Sequence, residues 1–227
     1  MLKGVFITGT DTGIGKTVVA AGILRHLRSE GLDIVPMKPI QTGATKDMGT
    51  EMQSTDLKFC LEAADLHPSD EELEWMAPYR YEPACSPHLA GKMAGSYPQV
   101  GRIKECAERL CERHAGIIVE GAGGVLVPIN ESTTMLDLMY ALGLPVVIVA
   151  RAGLGTINHT LLSINALRAR RLDIAGVILN ETEDVERDLI REDNPKAIAE
   201  FGQVPILAEI PYLEDVSKVP DIEVPAL

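Results

Sequence analysis

The sequence predicts a single α/β domain, built on a doubly wound, mostly parallel sheet with helices on both faces. Short apolar runs without polar alternation suit strands that are buried on both faces. These runs alternate along the chain with longer stretches of helical periodicity. Because the chain contains neither a low-complexity linker nor an internal repeat, we expect residues 1–227 to form one domain.

The strands are predicted from runs rich in Val and Ile: Val5–Thr8, Ile34–Met37, Ile117–Glu120, Val146–Ala150 and Val177–Leu179. The helices are predicted from periodic stretches between them: Val18–Arg28, Thr55–Ala64, Val100–His114, Leu136–Leu142, Thr156–Arg170 and Val185–Phe201. Gly31 follows the first helix and Pro98 precedes the third, as end signals do. The segment His67–Tyr97 breaks this rhythm with four prolines and three of the five tyrosines. We expect it to be an excursion over the sheet with room for a short helix.

Composition excludes several classes of function. The 33 acidic and 21 basic side chains leave a net charge of −12, which disfavours nucleic acid and anionic membranes as partners. The chain has no apolar run long enough to span a bilayer and no signal-peptide pattern at its start. The four cysteines form neither a CxxC pair nor a zinc-like set with histidines, so free thiols and a cytoplasmic location are expected.

The strongest motif is the glycine-rich segment Gly9–Thr17, which follows an apolar strand and opens a helix. That context is typical of a phosphate-binding loop of the P-loop NTPase type. Lys16 would reach the β- and γ-phosphates of ATP, and Thr17 would bind Mg²⁺. Thr10 stands one place after Gly9, where the strict pattern requires glycine, so a structural turn remains an alternative. A dinucleotide-binding fingerprint fails on spacing and leaves Lys16 without a role.

Two strand ends should lie beside this loop, since the carboxyl ends of parallel strands meet at one edge of a sheet. Glu120 ends an apolar run and precedes Gly121–Gly124, so its carboxylate is a candidate Mg²⁺ ligand, or else an incidental turn residue. Lys38 ends the second strand and could stabilise charge on a transferring phosphate, although a surface lysine is the commoner case. Asp56, after the Gln41–Gln53 loop, reads by itself as a first-turn helix carboxylate.

Several motifs in order resemble the dethiobiotin synthetase family over about Ile7 to Leu213. They are Gly9-Thr10-Asp11-Thr12 with Gly15-Lys16-Thr17, Lys38-Pro39 with Thr42-Gly43, Ser86-Pro87-His88, Glu120-Gly121-Ala122-Gly123-Gly124, Ile157-Asn158-His159, Gly176-Val177-Ile178-Leu179-Asn180 and Glu209-Ile210-Pro211-Tyr212. The resemblance implies ATP-dependent closure of a ureido ring in biotin biosynthesis. In that reaction 7,8-diaminononanoate and CO₂ form a carbamate, ATP converts it into a carbamic–phosphoric anhydride, and the second amine closes dethiobiotin with release of ADP and phosphate.

The resemblance also implies a role for each matching residue. Lys38 and Lys16 would be catalytic, and Mg²⁺ would be held by Thr17, Asp56 and Glu120. The ATP site would comprise Thr12, Gly13, Ile14, Gly15, Lys16, Thr17, Asp56, Glu120, Gly121, Ala122, Gly123, Asn180, Pro211, Tyr212 and Leu213. Asn180 can pair with an adenine edge, or else serve as a turn residue. The diamine substrate would contact Thr42, Leu154, Gly155 and Asn158, the last three from the partner subunit of a homodimer. His159 is expected to pack at the start of its helix.

Two departures from the family pattern concern nucleotide recognition. Gly13 stands where many members carry a larger residue, and the stretch after Leu213 aligns with no late nucleotide contact. Two other classes compete with this interpretation. ATPase switches of the ParA and MinD type place a second lysine early in the phosphate loop, where this chain has Asp11 and Thr12. A synthetase that amidates cobyrinate-type acids would need a glutaminase domain, for which the chain has neither room nor a suitable Cys/His pair.

Overall fold

The main sheet is entirely parallel in a computed structural model that describes residues 2–46 and 52–224. Its six strands follow the order β10-β9-β8-β1-β7-β2. Their bounds are β1 Gly4–Gly9, β2 Ile34–Met37, β7 Gly116–Gly124, β8 Val146–Arg151, β9 Ile174–Asn180 and β10 Ile206–Ile210. Two small sheets flank it, formed by β3 (Ile40–Thr42) with β6 (Tyr79–Tyr81) and by β4 (Thr45–Lys46) with β5 (Met52–Gln53).

Helices cover both faces of the main sheet, as predicted. They are α1 Lys16–Ser29, α2 Thr55–Ala63, α3 Asp70–Met76, α4 Pro87–Ala94, α5 Val100–Arg113, α6 Met135–Leu142, α7 Thr156–Ala169 and α8 Leu189–Gly202. Alternate residues of β1 enter different cores, since Phe6 belongs to the cluster that includes residues of α3–α8 and its neighbours Val5 and Ile7 belong to the cluster that includes residues of α1. Within the described ranges, no helix has both the length and the apolar character that crossing a bilayer requires.

The sheet contains more strand than the sequence patterns indicated. All five predicted strands are present, but β10 was not predicted as one. The sequence predicted that the strand beginning at Ile117 would end at Glu120. This prediction is wrong, because β7 continues to Gly124, which pairs with Gly9 of β1. Glycines and alanine after Glu120 give no strand signal, and the pairing with β1 extends the strand over them. Of the predicted Gln41–Gln53 loop, residues 47–51 lie outside the described ranges.

The segment His67–Tyr97 is more regular than expected, since it contains α3, β6 and α4. A capping box between Ser69 and Glu72 begins α3, and this spacing was available in the sequence. The segment also covers the core, where Met76 and Tyr81 are buried. The Met76 carbonyl accepts a hydrogen bond of 2.7 Å from the Lys38 backbone N–H. The excursion therefore helps to hold the end of β2.

The C-terminal segment crosses α1 at Gly22. The Ile222 N–H donates to the Gly22 carbonyl at 3.3 Å, and Val219, Ile222 and Val224 are buried in the α1 core. A Cβ at Gly22 would lie 2.6 Å from the Pro220 carbonyl oxygen and 2.7 Å from Ile222 Cδ1. Only a residue without a side chain permits this approach.

Gly22→Ala is therefore expected to lower the free energy of unfolding by about 1–3 kcal/mol, because the overlap with the C-terminal segment exceeds the gain in helix propensity. Denaturant unfolding measures the change. Gly101→Ala is the matched control, since Gly101 lies in α5 with open space where its Cβ would be. The control should stabilise the protein by about 0.5–1 kcal/mol. Equal stabilisation by both substitutions would contradict the close contact.

The capping box of α6 predicts a pH-dependent contribution to stability. Asp137 accepts hydrogen bonds from the Thr134 N–H at 2.8 Å and from its hydroxyl at 2.9 Å. The backbone hydrogen bond, outweighing burial, lowers the pKa of Asp137 below its usual 3.8. Its stabilisation is thus present above that value and lost as the pH falls through the lowered pKa. Asp137→Asn should cost about 1 kcal/mol of unfolding free energy at neutral pH and almost nothing at a pH below the lowered pKa. Urea unfolding at both pH values tests this, and a deficit independent of pH would contradict it.

Candidate active site

The loop Gly9–Thr17 joins the end of β1 to the start of α1 and is held partly by a contact to its own backbone. Gly13 and Gly15 have φ values of +72° and +89°, which favour glycine. The Lys16 ammonium donates to the Asp11 carbonyl at 2.8 Å, and the Asp11 carboxylate pairs with Arg151 of β8 at 2.6 Å. The loop is thus anchored to the neighbouring strand, with its backbone N–H groups at the start of a helix.

Asn180, at the end of β9, contacts the loop Gly9–Thr17 through its side chain. Its amide nitrogen donates to the Ile14 carbonyl at 3.0 Å, and both side chains are buried. A Cβ on Gly15 would overlap the Asn180 amide. The sequence suggested Asn180 as a contact of adenine, but here the amide group serves the phosphate loop and lines neither cavity described below.

Gly15→Ala is expected to weaken binding of ATP at least tenfold, because it combines a strained positive φ with a clash against Asn180. Calorimetric titration with a non-hydrolysable ATP analogue measures the loss. Gly13→Ala is the matched control, since it has the same kind of φ but nothing within 4 Å of the added Cβ. The control should lose less affinity than Gly15→Ala. Equal losses would contradict a role for the Asn180 contact.

A buried ion cluster lies beside the loop, where Lys38 follows the end of β2 and Glu120 lies within β7. The Lys38 ammonium is 2.6 Å from a carboxylate oxygen of Asp56 and 2.6 Å from Glu120 Oε1. The same Glu120 oxygen accepts a hydrogen bond from the Thr17 hydroxyl at 3.0 Å. Lys38 is only 5% exposed and Glu120 only 4%, so Lys38 is not the surface lysine that strand ends commonly carry.

The pKa values of Lys38 and Lys16 are shifted in opposite directions. Burial alone would lower the pKa of Lys38, but the charges of Glu120 and Asp56 outweigh it and raise the pKa above its usual range. Burial and then the charge of Lys38 lower the pKa of Lys16 to about 8. Lys38 is therefore protonated at neutral pH, which suits it to electrostatic stabilisation rather than to action as a base.

Lys16 and Lys38 line the same cavity, which has a volume of about 800 Å³. The predicted site residues that line it are Thr12, Gly13, Gly15, Lys16, Thr17, Lys38, Thr42, Asp56, Glu120, Ala122 and Gly123. The lining also includes Ala84–Ser86, between β6 and α4, Pro87 at the start of α4, and Val127. Two further predicted residues, Ile14 and Gly121, take part in the site through their backbone carbonyls and not as lining residues. The Ile14 carbonyl accepts a hydrogen bond from Asn180, and the Gly121 carbonyl lies 3.4 Å from the Lys38 ammonium.

The oxygen atoms around Lys38 are of the kind that Mg²⁺ binds. One hydroxyl and two carboxylates, from Thr17, Asp56 and Glu120, meet at the cluster. Among the described residues that line the cavity, the charged ones are two lysines and these two carboxylates, so their formal charges sum to zero. A triphosphate there would need further positive charge beyond the backbone N–H groups. These residues therefore fit a divalent cation bound together with a nucleotide.

A second cavity of about 190 Å³ lies at the ends of β9 and β10. Pro211 and Tyr212, which the sequence predicts to contact adenine, line it, whereas Leu213 packs against the α1 core. Two ion pairs that the sequence analysis missed also line it, Arg187 with Glu209 at 2.8 Å and Arg191 with Glu181 at 2.5 Å. Charged residues before and within α8 gave no sequence signal, because such residues usually lie on a solvated face.

The predicted substrate loop lies outside both cavities. Leu154 and Gly155 precede α7, Asn158 lies in its first turn, and all three are exposed. The expectation that His159 packs at the helix start is wrong, since its side chain is exposed. Asn194 of α8 holds the loop in place by donating to the Ala152 carbonyl at 2.7 Å. The contribution of this loop to a partner subunit stays a prediction.

Known proteins with similar sequences identify the family. The family model described as AAA domain matches residues 3–219. The ATP-dependent dethiobiotin synthetase BioD of Anaeromyxobacter sp. (strain K) is 42% identical over 217 residues, which cover 96% of this chain and 93% of the relative. The chain belongs to the ATP-dependent dethiobiotin synthetase family. Another synthetase, from Thermodesulfovibrio yellowstonii, is 35% identical over 96% of this chain and 92% of its own length.

Solved structures place this dethiobiotin synthetase family member in the P-loop NTPase fold. A ParA family ATPase from Chlorobium tepidum superposes with a TM-score of 0.58 at 17% identity, covering 94% of this chain and 87% of that one. The cell division protein MinD from Aquifex aeolicus has a TM-score of 0.58 at 15% identity, over 96% and 88% of the two chains. At this level of identity the likeness concerns the fold, which confirms the predicted fold class.

Proposed function

We propose that this chain catalyses ATP-dependent carboxylation and ring closure of 7,8-diaminononanoate with CO₂, giving dethiobiotin, ADP and phosphate in biotin biosynthesis. The observation that carries the proposal is that Lys16, at the start of α1, and Lys38, after the end of β2, line one cavity together with Thr17, Asp56 and Glu120. Relatives named dethiobiotin synthetase match nearly the whole chain and support the substrate assignment.

The reaction has three steps. One substrate amine adds to CO₂ and loses a proton, which gives a carbamate. A carbamate oxygen then attacks the γ-phosphorus of ATP, and ADP leaves, so that a carbamic–phosphoric anhydride forms. The second amine attacks the anhydride carbon, phosphate leaves, and the nitrogen loses a proton as the ureido ring closes. Phosphoryl transfer depends mainly on positioning and charge stabilisation, which is what the cavity provides.

The residues that line the main cavity have distinct roles in this reaction. Lys16 binds the β- and γ-phosphates, and Lys38 stabilises negative charge on the carbamate and the transferring phosphoryl group. Thr17, Asp56 and Glu120 would hold Mg²⁺, which neutralises phosphate charge when bound. Thr12 contributes a hydrogen bond to phosphate or carbamate, and Thr42 offers its hydroxyl to the diamine.

The remaining site residues recognise the two ends of the substrates. Pro211 and Tyr212 receive adenine in the second cavity, and Asn180 supports the phosphate loop through the Ile14 carbonyl. The chain acts as a homodimer in which Leu154, Gly155 and Asn158 receive the substrate carboxylate in the partner's site, because N–H groups at a helix start suit an anion. The net charge of −12 supports an enzyme without nucleic-acid or anionic-membrane partners.

The decisive experiment measures ATP hydrolysis with and without diaminononanoate and bicarbonate. We expect one dethiobiotin per ATP consumed and little hydrolysis without the diamine. Hydrolysis without formation of dethiobiotin would favour the second candidate function, an ATPase switch. The ParA and MinD structures share the fold of this chain. Against that candidate, Asp11 occupies the early part of the loop and pairs with Arg151.

A further inference from the structure

Gln41 is a buried polar residue in the wall of the main cavity to which neither the motifs nor the proposed chemistry assign a role. It is the central residue of β3 and is only 5% exposed. A buried amide is costly unless its donors and acceptors find partners, so its contacts reveal what it supports.

The Gln41 side chain connects two predicted site residues. Its amide nitrogen donates to the Thr42 carbonyl at 2.8 Å. Its amide oxygen accepts from the Ser54 hydroxyl at 2.8 Å and from the Asp56 backbone N–H at 3.3 Å. One side chain thus joins the strand that carries Thr42 to the helix that carries Asp56.

These contacts complete the start of α2. Ser54 is the N-cap residue, and its hydroxyl oxygen accepts from the Leu57 N–H at 3.3 Å. The N–H of Asp56 is another of the donors that a helix start leaves without an intrahelical partner, and Gln41 satisfies it. The carboxylate of the same residue, Asp56, lies 2.6 Å from the Lys38 ammonium.

We propose that Gln41 is a positioning residue, which holds Asp56 in place for the metal–nucleotide complex and Thr42 in place for the diamine. This inference rests on the proposed function, because it takes the roles of Asp56 and Thr42 from it. A residue needed only for folding would affect stability and all ligands alike. A positioning residue affects the metal-dependent part of nucleotide binding and the KM for the diamine.

Calorimetric titration of a non-hydrolysable ATP analogue, with Mg²⁺ and separately with EDTA, tests the first half. Gln41→Met has similar length but neither donates nor accepts comparable hydrogen bonds. We expect it to reduce the gain in affinity from Mg²⁺ about tenfold, about 1.4 kcal/mol, and to change affinity in EDTA less than twofold. Gln99→Met, at an exposed position, and Leu110→Ala, in the core of α5, are controls that should keep the full gain.

Gln41→Glu tests the second half and serves if Gln41→Met does not fold. A carboxylate still accepts from Ser54 and Asp56 but cannot donate to the Thr42 carbonyl. We expect the Mg²⁺ gain to persist and the KM for diaminononanoate to rise about tenfold. Ser54→Ala should do the reverse, with part of the Mg²⁺ gain lost and the KM for the diamine unchanged.

An unchanged Mg²⁺ gain in Gln41→Met, or an equal loss of affinity in Mg²⁺ and in EDTA, would overturn the proposal. So would an unchanged KM for the diamine in Gln41→Glu. The titration requires no ring closure, so a Gln41-dependent Mg²⁺ gain in a chain that makes no dethiobiotin would refute the proposed function and support the positioning of Asp56.

Discussion

Lys38→Gln is expected to lower kcat for dethiobiotin formation at least about 100-fold, the scale on which a single donor to the transition state acts. The Lys38 ammonium is buried, contacts two carboxylates at 2.6 Å each and lines the same cavity as Lys16. Its raised pKa keeps it charged at neutral pH. In the proposed mechanism, a neutral amide at this place cannot stabilise the charge on the carbamate and the transferring phosphoryl group.

Steady-state rates at saturating ATP, diamine and bicarbonate measure this effect. Because the substitution leaves Glu120 and Asp56 without their shared cation, thermal unfolding and nucleotide affinity must be measured alongside the rate. Lys58→Gln is the matched control, since Lys58 is an exposed lysine of α2. It should retain the wild-type rate. Wild-type turnover in a folded Lys38→Gln protein would remove Lys38 from the mechanism.

Glu120→Gln is expected to raise the Mg²⁺ concentration for half-maximal rate about tenfold. It should also lower the free energy of unfolding by about 3 kcal/mol, because a buried ion pair loses one partner. Glu120 is 4% exposed, pairs with Lys38 and accepts from the Thr17 hydroxyl at 3.0 Å. An uncharged amide binds a divalent cation more weakly and leaves Lys38 with Asp56 alone.

Rates across a Mg²⁺ titration, together with denaturant unfolding, measure the two effects of Glu120→Gln separately. Glu62→Gln, on the exposed side of α2, is the control and should change neither quantity. Destabilisation without any change in the Mg²⁺ requirement would leave Glu120 as a structural partner of Lys38 and reject it as a metal ligand.

Much of the fold could be predicted because its signals are local. Buried parallel strands need continuous apolar runs, and the helices between them need periodic ones. The prediction failed where pairing overrides composition, as in the glycine-rich end of β7, and where prolines concealed α3 and α4. At α3 a usable signal existed, since the spacing of Ser69 and Glu72 is that of a capping box.

The site was predictable to a different degree at each residue. Lys16 and Thr17 belong to a loop whose pattern is contiguous, so their placement followed directly. Asn180 was correctly placed at a strand end, but the amide group proved to support the Ile14 carbonyl. Gln41 could not be singled out, because its partners include the backbone N–H of Asp56, 15 residues away.

The sequence by itself determined the parallel α/β architecture, the phosphate loop and the edge of the sheet at which Lys38 and Glu120 lie. These follow from short-range patterns and from the rule that parallel strands end together. Only the tertiary structure decided that Lys38 is buried between Glu120 and Asp56, and that Gln41 joins Asp56 to Thr42. Lys38 and Glu120 are 82 residues apart in the chain, and their 2.6 Å contact depends on how β2, β7 and α2 pack together. Packing sets that distance, and no local spacing encodes it.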